Sequence, residues 1–177
     1  MNKRVSIFAQ RSYNHTKEGA GMEEQEQLRR VLYHAEHAEC LTYFSIEGKF
    51  DPDQITAYLR IAPEQVRRIG DRRPNGEPAK TALWRFGSVS GRSTDIDGQM
   101  KETIRNLLPK EGLLRQIKLQ YNASLVLTVV PIVRYDEPVP SLAPSLAVMR
   151  FCLETGTELS IDLYVSCPDD LTADTCG

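Results

Sequence analysis

The sequence predicts an α+β domain, a four-stranded mixed sheet with its helices mainly on one face. Three observations predict it. Apolar residues fall on alternate positions over 40–48, 81–89 and 157–166, the period of a strand with one buried face. Between these runs lie segments whose apolar residues recur three and four apart, the period of a helix with one buried stripe. The clean alternation of the last run also requires one wet sheet face, so the helices gather on the other. The resulting order, β-α-β-αα-β-α-β, is a ferredoxin-like variant in which a helix pair replaces the usual hairpin between the second and third strands.

Each element has its own warrant. CLTYFSIEG reads as the first strand, with Thr42, Phe44 and Ile46 on one face and Leu41, Tyr43 and Ser45 on the other. Asp51 followed by Pro52 supplies an N-cap and a proline at the first helical position, and Ile55, Tyr58 and Leu59 give the stripe of a helix over 52–61. PEQVRRIGDRRPNGEP is rich in turn residues and charge, so it is expected to be a long loop with one helical turn at most. TALWRFGSV is the second strand, with Ala82, Trp84 and Phe86 opposite Thr81, Leu83 and Arg85. Ile96, Met100, Ile104 and Leu107 then form a helical stripe, and Leu113, Leu114 and Ile117 a second helical piece after Pro109 and Gly112.

ASLVLTVVPIVRY is the most apolar run, read as a central strand covered on both faces for part of its length and limited by Pro131. The next helix is expected to bury Leu142, Leu146, Met149 and Leu153 and to stop at Gly156. The last strand, TELSIDLYVS, turns Leu159, Ile161, Leu163 and Val165 inward and Ser160, Asp162, Tyr164 and Ser166 outward. Outside this single domain at 40–166, residues 1–39 form a leader, disordered or weakly helical. Residues 1–21 read either as a disordered leader or as translated sequence upstream of a start at Met22. Residues 167–177 form an acidic flexible tail.

Composition narrows the class of function. With 22 basic and 24 acidic residues the net charge is −2, which argues against the basic footprint of a nucleic-acid binder. Four cysteines without a CxxC pair do not form a disulfide framework, and no signal peptide or membrane-length apolar run appears, so the expected home is the cytoplasm. No histidine falls within 40–166, which removes the usual general base for a Ser or Cys nucleophile, and GDRRPNGEP lacks the spacing of a phosphate loop. Cys152 reads as a structural thiol, and Asp51 and Asp53 as the acidic start of a helix. No catalytic set, cofactor or metal is expected. His34, His37 and Cys40 at steps of three would spread over about 120° of a helix, too wide to converge on one ion.

Several strings together resemble a bacterial family, the domain of unknown function DUF4279. They are FSIEGKFDPDQITAYL, RRIGDRRP, the isolated Trp84 on a strand, and LAPSLAVMRFCLETGTELSIDLYV. The resemblance spans about 40–166 and rests on the strand-Gly-Asp-Pro-helix opening and the Gly-x-x-Leu-x-Ile-Asp-x-Tyr ending. It implies an α+β fold and bacterial origin, and carries over no activity, ligand or catalytic residue.

Two surfaces remain as candidate sites. From Arg60 through Arg85 seven basic residues face three acids, a local excess of +4, whereas residues 151–177 carry six acids and no Lys or Arg. Guanidinium groups bind carboxylates and phosphates through paired donors, so Arg67, Arg68, Arg72, Arg73 and Arg85 are candidates for binding an anion or an acidic partner; a solvated loop paired with the acidic C-terminal part is the competing reading. The second surface is the uncovered sheet face, where alternation places Tyr43, Arg85, Asp162 and Tyr164. It has the address of an RNA-recognition face, but Val126, Leu127 and Val129 stand where stacking rings would be needed. The expectation is a non-catalytic protein-interaction module of adaptor or immunity type, with a protein partner, and with homodimerisation or the N-terminal helix as a way to cover the sheet. The alternative is an enzyme or small-ligand sensor holding an anion at the arginine loop.

Overall fold

Strand β1 (Glu39–Gly48) runs through the middle of the sheet, and its alternation is the one expected: Cys40, Thr42, Phe44 and Ile46 are buried beneath helices, while Leu41, Tyr43, Ser45 and Glu47 face the other way. The computed structural model describes residues 39–92, 95–134 and 139–166. Residues 1–38 of the leader, with His15, His34 and His37, and the acidic tail lie outside the described residues, whereas Glu39, expected in the leader, opens β1.

Helix α1 (Pro52–Leu59) starts as its sequence dictates, with the Asp51 carboxylate accepting the Asp53 N–H at 3.0 Å. It buries Ile55 and Leu59 and leaves Tyr58 about half exposed, so one member of the expected stripe lies at its margin. The loop that follows contains a strand the sequence did not announce, β2 (Gln65–Arg67), paired antiparallel with β3 (Ala82–Arg92). Three residues are too few for alternation to register as a pattern. Helix α2 (Ile96–Ile104), a 3-10 turn (Leu108–Lys110) and helix α3 (Glu111–Tyr121) realise the helix pair. After them come β4 (Ser124–Arg134), α4 (Leu146–Thr155), β5 (Glu158–Ile161) and β6 (Tyr164–Ser166).

The sheet order is β2-β3-β1-β4-β5, with β6 also on β4. β3, β1 and β4 pair antiparallel, and β5 and β6 pair parallel with β4. The mixed α+β sheet is therefore as expected, but it has six strands rather than four. A ferredoxin-like path separates each pair of parallel strands by an intervening strand, whereas here β4 and β5 flank α4 and pair directly.

One core unites the helices with one face of the sheet: Phe44, Ile46, Trp84, Leu125, Leu127 and Val129 meet Ile55, Leu59, Met100, Ile104, Leu114, Ile117, Val148 and Phe151. Each of these large side chains contributes about 1.5–3 kcal/mol by leaving water. Helix α4 departs from expectation. It buries Val148, Phe151 and Thr155, while Leu146 and Leu153 are 81% and 82% exposed and Met149 is also exposed. Phe151 decides this rotation, because its ring packs edge-on against Phe44 with centroids 6.1 Å apart. The hydroxyl of Thr155 goes under with it, satisfied by donation to the Phe151 carbonyl at 2.7 Å.

A bulge shapes the junction of β3 and α2. The register between β1 and β3 shifts between Thr42 and Phe44, and Gly87 stands at that shift with φ +72°. Its missing side chain lets α2 come close, for an added Cβ would lie 2.7 Å from the Thr103 carbonyl oxygen. The same closeness joins the Thr42 and Thr103 hydroxyls at 2.6 Å, so a polar pair inside the core is satisfied.

Cys40 is fully buried in β1, and burial pushes its thiol up to about 11, partly offset by a backbone hydrogen bond with Val130. A thiol raised in the folded state from 9.0 to about 11 gives stability that is fully present below pH 9.0 and is lost as pH rises towards 11. Two results are expected. Iodoacetamide at pH 8 should label Cys40 only on unfolding, read by peptide mass spectrometry. Cys40→Ala should lose less stability than the native chain between pH 9 and 11 in urea titrations, and equal losses would contradict this account.

Candidate functional site

Two arginines lie on the face of the sheet that no helix covers among the described residues. Pairing sets Arg67 opposite Leu83 and Arg85 opposite both Gln65 and Ser45, and these side chains share this face with Tyr43 and Glu47. Arg67 donates from Nη2 to Glu47 Oε1 at 3.0 Å, crossing over Leu83, which is thereby buried. Glu47 also accepts the Thr81 hydroxyl at 2.6 Å. Arg85 reaches the other way, its guanidinium carbon 4.0 Å from the centre of the Tyr43 ring, and covers Ser45. Apart from this ring contact, no hydrogen bond or carboxylate holds the Arg85 guanidinium among the described residues. Leu41, Val126 and Val130 flank Tyr43 on the β4 side with partly exposed aliphatic surface, which Ile132 continues farther along the strand.

The other loop arginines go elsewhere. Arg68 holds both oxygens of Asp53 at 2.9 Å, and its amide N–H donates to Asp71 Oδ2 at 2.6 Å. Hydrogen bonding to Asp53 first, and the charge of Asp53 next, raise the Arg68 pKa. Arg72 bridges to Pro78 and Arg73 starts the turn closed by Gly76 N–H to Arg73 O at 2.8 Å, so both belong to a small hairpin. The five arginines therefore do not converge on one point. Nor do Arg67 and Arg68 reach the acid of β5, Glu158: β2 and β5 are opposite margins of a five-strand path, on the order of 20 Å apart at about 4.8 Å per strand, while Asp169, Asp170 and Asp174 lie outside the described residues.

Tyr164 pairs with Ile132 and so shares the open face, but it lies two strands from Tyr43 and is not in one cluster with it. Asp162 sits between β5 and β6, its N–H donating to Val129 O at 2.8 Å. Leu163 and Val165, expected inward, are largely exposed, because the sheet ends there and no described strand covers its margin. Sequence reasoning missed Glu47 and Asp53 as the anchors of Arg67 and Arg68. The parity of Glu47 was visible in β1, but its partner arrives from 20 residues away through a strand with no sequence signal.

Three clefts of about 350, 420 and 580 Å³ open elsewhere, and none of the three is lined by Arg67, Arg68, Arg72, Arg73 or Arg85. Among the described residues no group of His, Cys, Asp and Glu is arranged to hold a metal, and no helix is long and apolar enough to cross a membrane.

Fold and face together define an α+β domain with one sheet face under helices and the other left bare by the described residues, with an aromatic-arginine pair on it. The family model described as a domain of unknown function, DUF4279, matches residues 38–166, and the chain belongs to that family. No curated protein and no solved structure matches it significantly.

Proposed function

We propose that this protein is a non-catalytic interaction module, of adaptor or immunity type, that engages a protein partner through the bare sheet face. The observation that carries the reading is Arg85: held flat on Tyr43, half-buried, and without a carboxylate of its own among the described residues. An arginine fixed in this way loses little side-chain freedom on binding, and Tyr and Arg are the residues that most often dominate interface energies. The partly exposed aliphatic rim and Tyr164 supply apolar contact area around it. The matching partner surface presents an Asp or Glu to Arg85. Free Cys40 and Cys152 agree with a reducing bacterial cytoplasm as the setting. The anion-sensor alternative loses support, since Arg67 and Arg68 are already neutralised by Glu47 and Asp53.

The test is a quantitative affinity capture from extracts of the native host, with Arg85→Ala, Tyr43→Ala and Arg68→Ala as baits beside the native chain. A specific partner should lose about 2 kcal/mol, roughly thirtyfold in affinity, with Arg85→Ala or Tyr43→Ala and keep its affinity for Arg68→Ala. Retention of every partner by both face variants would sink the proposal.

A further inference from the structure

The margin of the sheet opposite β2 has its own recognition chemistry. β5 and β6 lie in line along β4, and among the described residues no strand lies beyond them. The bond from Asp162 N–H to Val129 O fixes the direction of the backbone groups. Alternate residues of a strand bond to the same neighbour, so Asp162 turns towards β4 and the adjacent Ile161 turns its N–H and C=O outward. Pairing keeps its phase across the break, because Val129 and Ile132 of β4 meet Ile161 and Tyr164. Glu158, Ser160 and Tyr164 are thus on the bare face, and Leu159, Ile161 and Val165 on the helix side.

The two strands of this margin are short, four and three residues, but in line they present a run from Glu158 to Ser166 that lacks the basic residues and proline that often block an edge. Tyr164 and Val165 are 60% and 54% exposed, with Ile161 and Leu163 exposed as well. The opposite edge, β2, is only three residues long and ends in Arg67, next to Arg68. The charges on the β5–β6 margin are Glu158 and Asp162, both acidic. A second copy of the chain paired edge to edge would bring two acidic margins together, and with Ser160 opposite Ser160 it would set Glu158 directly against Asp162, which disfavours it.

We infer that this edge takes up an extended peptide in which Lys or Arg alternates with Val, Ile or Leu. Its backbone pairs with the outward groups of Ile161, its basic side chains lie beside Glu158 and Tyr164 on the bare face, and its apolar side chains lie beside Ile161 and Val165. The inference does not depend on Tyr43 or Arg85.

The experiment measures fluorescence anisotropy of labelled Lys-Val-Lys-Val-Lys-Val-Lys on the full chain. Controls are a block peptide, Lys-Lys-Lys-Lys-Val-Val-Val, and the alternating Glu-Val peptide. The alternating basic peptide should bind at least about tenfold more tightly than either. Ile161→Pro removes the outward N–H without touching the bonds to β4, and should weaken binding about tenfold. Leu163→Lys tests the same edge by charge should the proline variant fail to fold, with near-ultraviolet circular dichroism reporting the fold. Arg85→Ala should leave peptide affinity unchanged, which separates this inference from the proposed function. Equal binding of the block peptide, no binding of the alternating peptide at millimolar concentration, or full affinity in a folded edge variant would each overturn it. So would a dimer of the native chain, seen by sedimentation, that the edge variants dissociate.

Discussion

Trp84→Ala should cost about 3–5 kcal/mol of folding stability, the range for removing a buried aromatic side chain. Trp84 is fully buried on the helix side of β3 and stacks on Phe86, with centroids 5.9 Å apart and planes at 29°. Its Nε1–H donates to Thr56 Oγ1 at 3.1 Å, and that hydroxyl donates in turn to the Pro52 carbonyl at 3.0 Å, so one ring ties β3 to the first turn of α1. Alanine leaves a cavity at that junction and an unfilled acceptor on Thr56. Against a typical total of about 5–15 kcal/mol, the loss is roughly a fifth or more of the stability. Trp84→Phe should cost only about 1–2 kcal/mol, since it keeps most of the apolar volume and gives up the indole hydrogen bond. The chain has one tryptophan, so urea unfolding is followed by circular dichroism rather than fluorescence. A loss below about 1 kcal/mol in Trp84→Ala would contradict this packing.

Gly87→Ala should destabilise by about 2–5 kcal/mol, through two separate costs. The backbone at φ +72° is one that residues with a Cβ rarely adopt. The new methyl would also meet the Thr103 carbonyl oxygen at 2.7 Å, and a helix backbone cannot swing aside as a flexible side chain can. Relief requires α2 to move off the sheet, which lengthens the 2.6 Å contact between Thr42 and Thr103 and opens the core around Met100 and Ile104. Gly91, on the same strand with open space around it, is the control: Gly91→Ala should be neutral or slightly stabilising. Thermal unfolding of the two variants side by side distinguishes the local clash from a general intolerance of β3, and equal behaviour would rule out the close approach at Gly87.

These two positions also show where the sequence was legible. Trp84 was placed on the buried side of its strand by parity alone, because Ala82, Trp84 and Phe86 alternate with Leu83 and Arg85 and a strand has no other way to present them. Gly87 could be read only as a glycine; that it sits at a bulge under α2 depends on β1, which is over 40 residues earlier. Helix α4 shows the opposite failure. Leu146, Met149 and Leu153 make a regular stripe, yet the stripe is outside, since the neighbouring Val148, Phe151 and Thr155 line makes an equally regular one and Phe44 selects it. Periodicity fixes that a helix has faces and does not choose between two apolar ones.

The candidate site divides in the same way. Alternation sufficed to put Tyr43, Arg85 and Tyr164 on the bare face. It did not reveal that Arg85 rests on Tyr43, or that Glu47 and Asp53 occupy Arg67 and Arg68, because these contacts join segments whose pairing register the sequence does not state.

Local sequence was enough to specify the α+β class, the parity of β1 and β3, and the caps at Asp51 and Gly156. All of these follow from local steric preference and from periods of two and 3.6 residues. Only the tertiary structure decided the strand order, the presence of β2, the face that α4 buries, and which charges are spent within the fold. Those depend on register and on competition among packing partners distant in the chain, and a single guanidinium becomes available for binding only once its neighbours' partners are known.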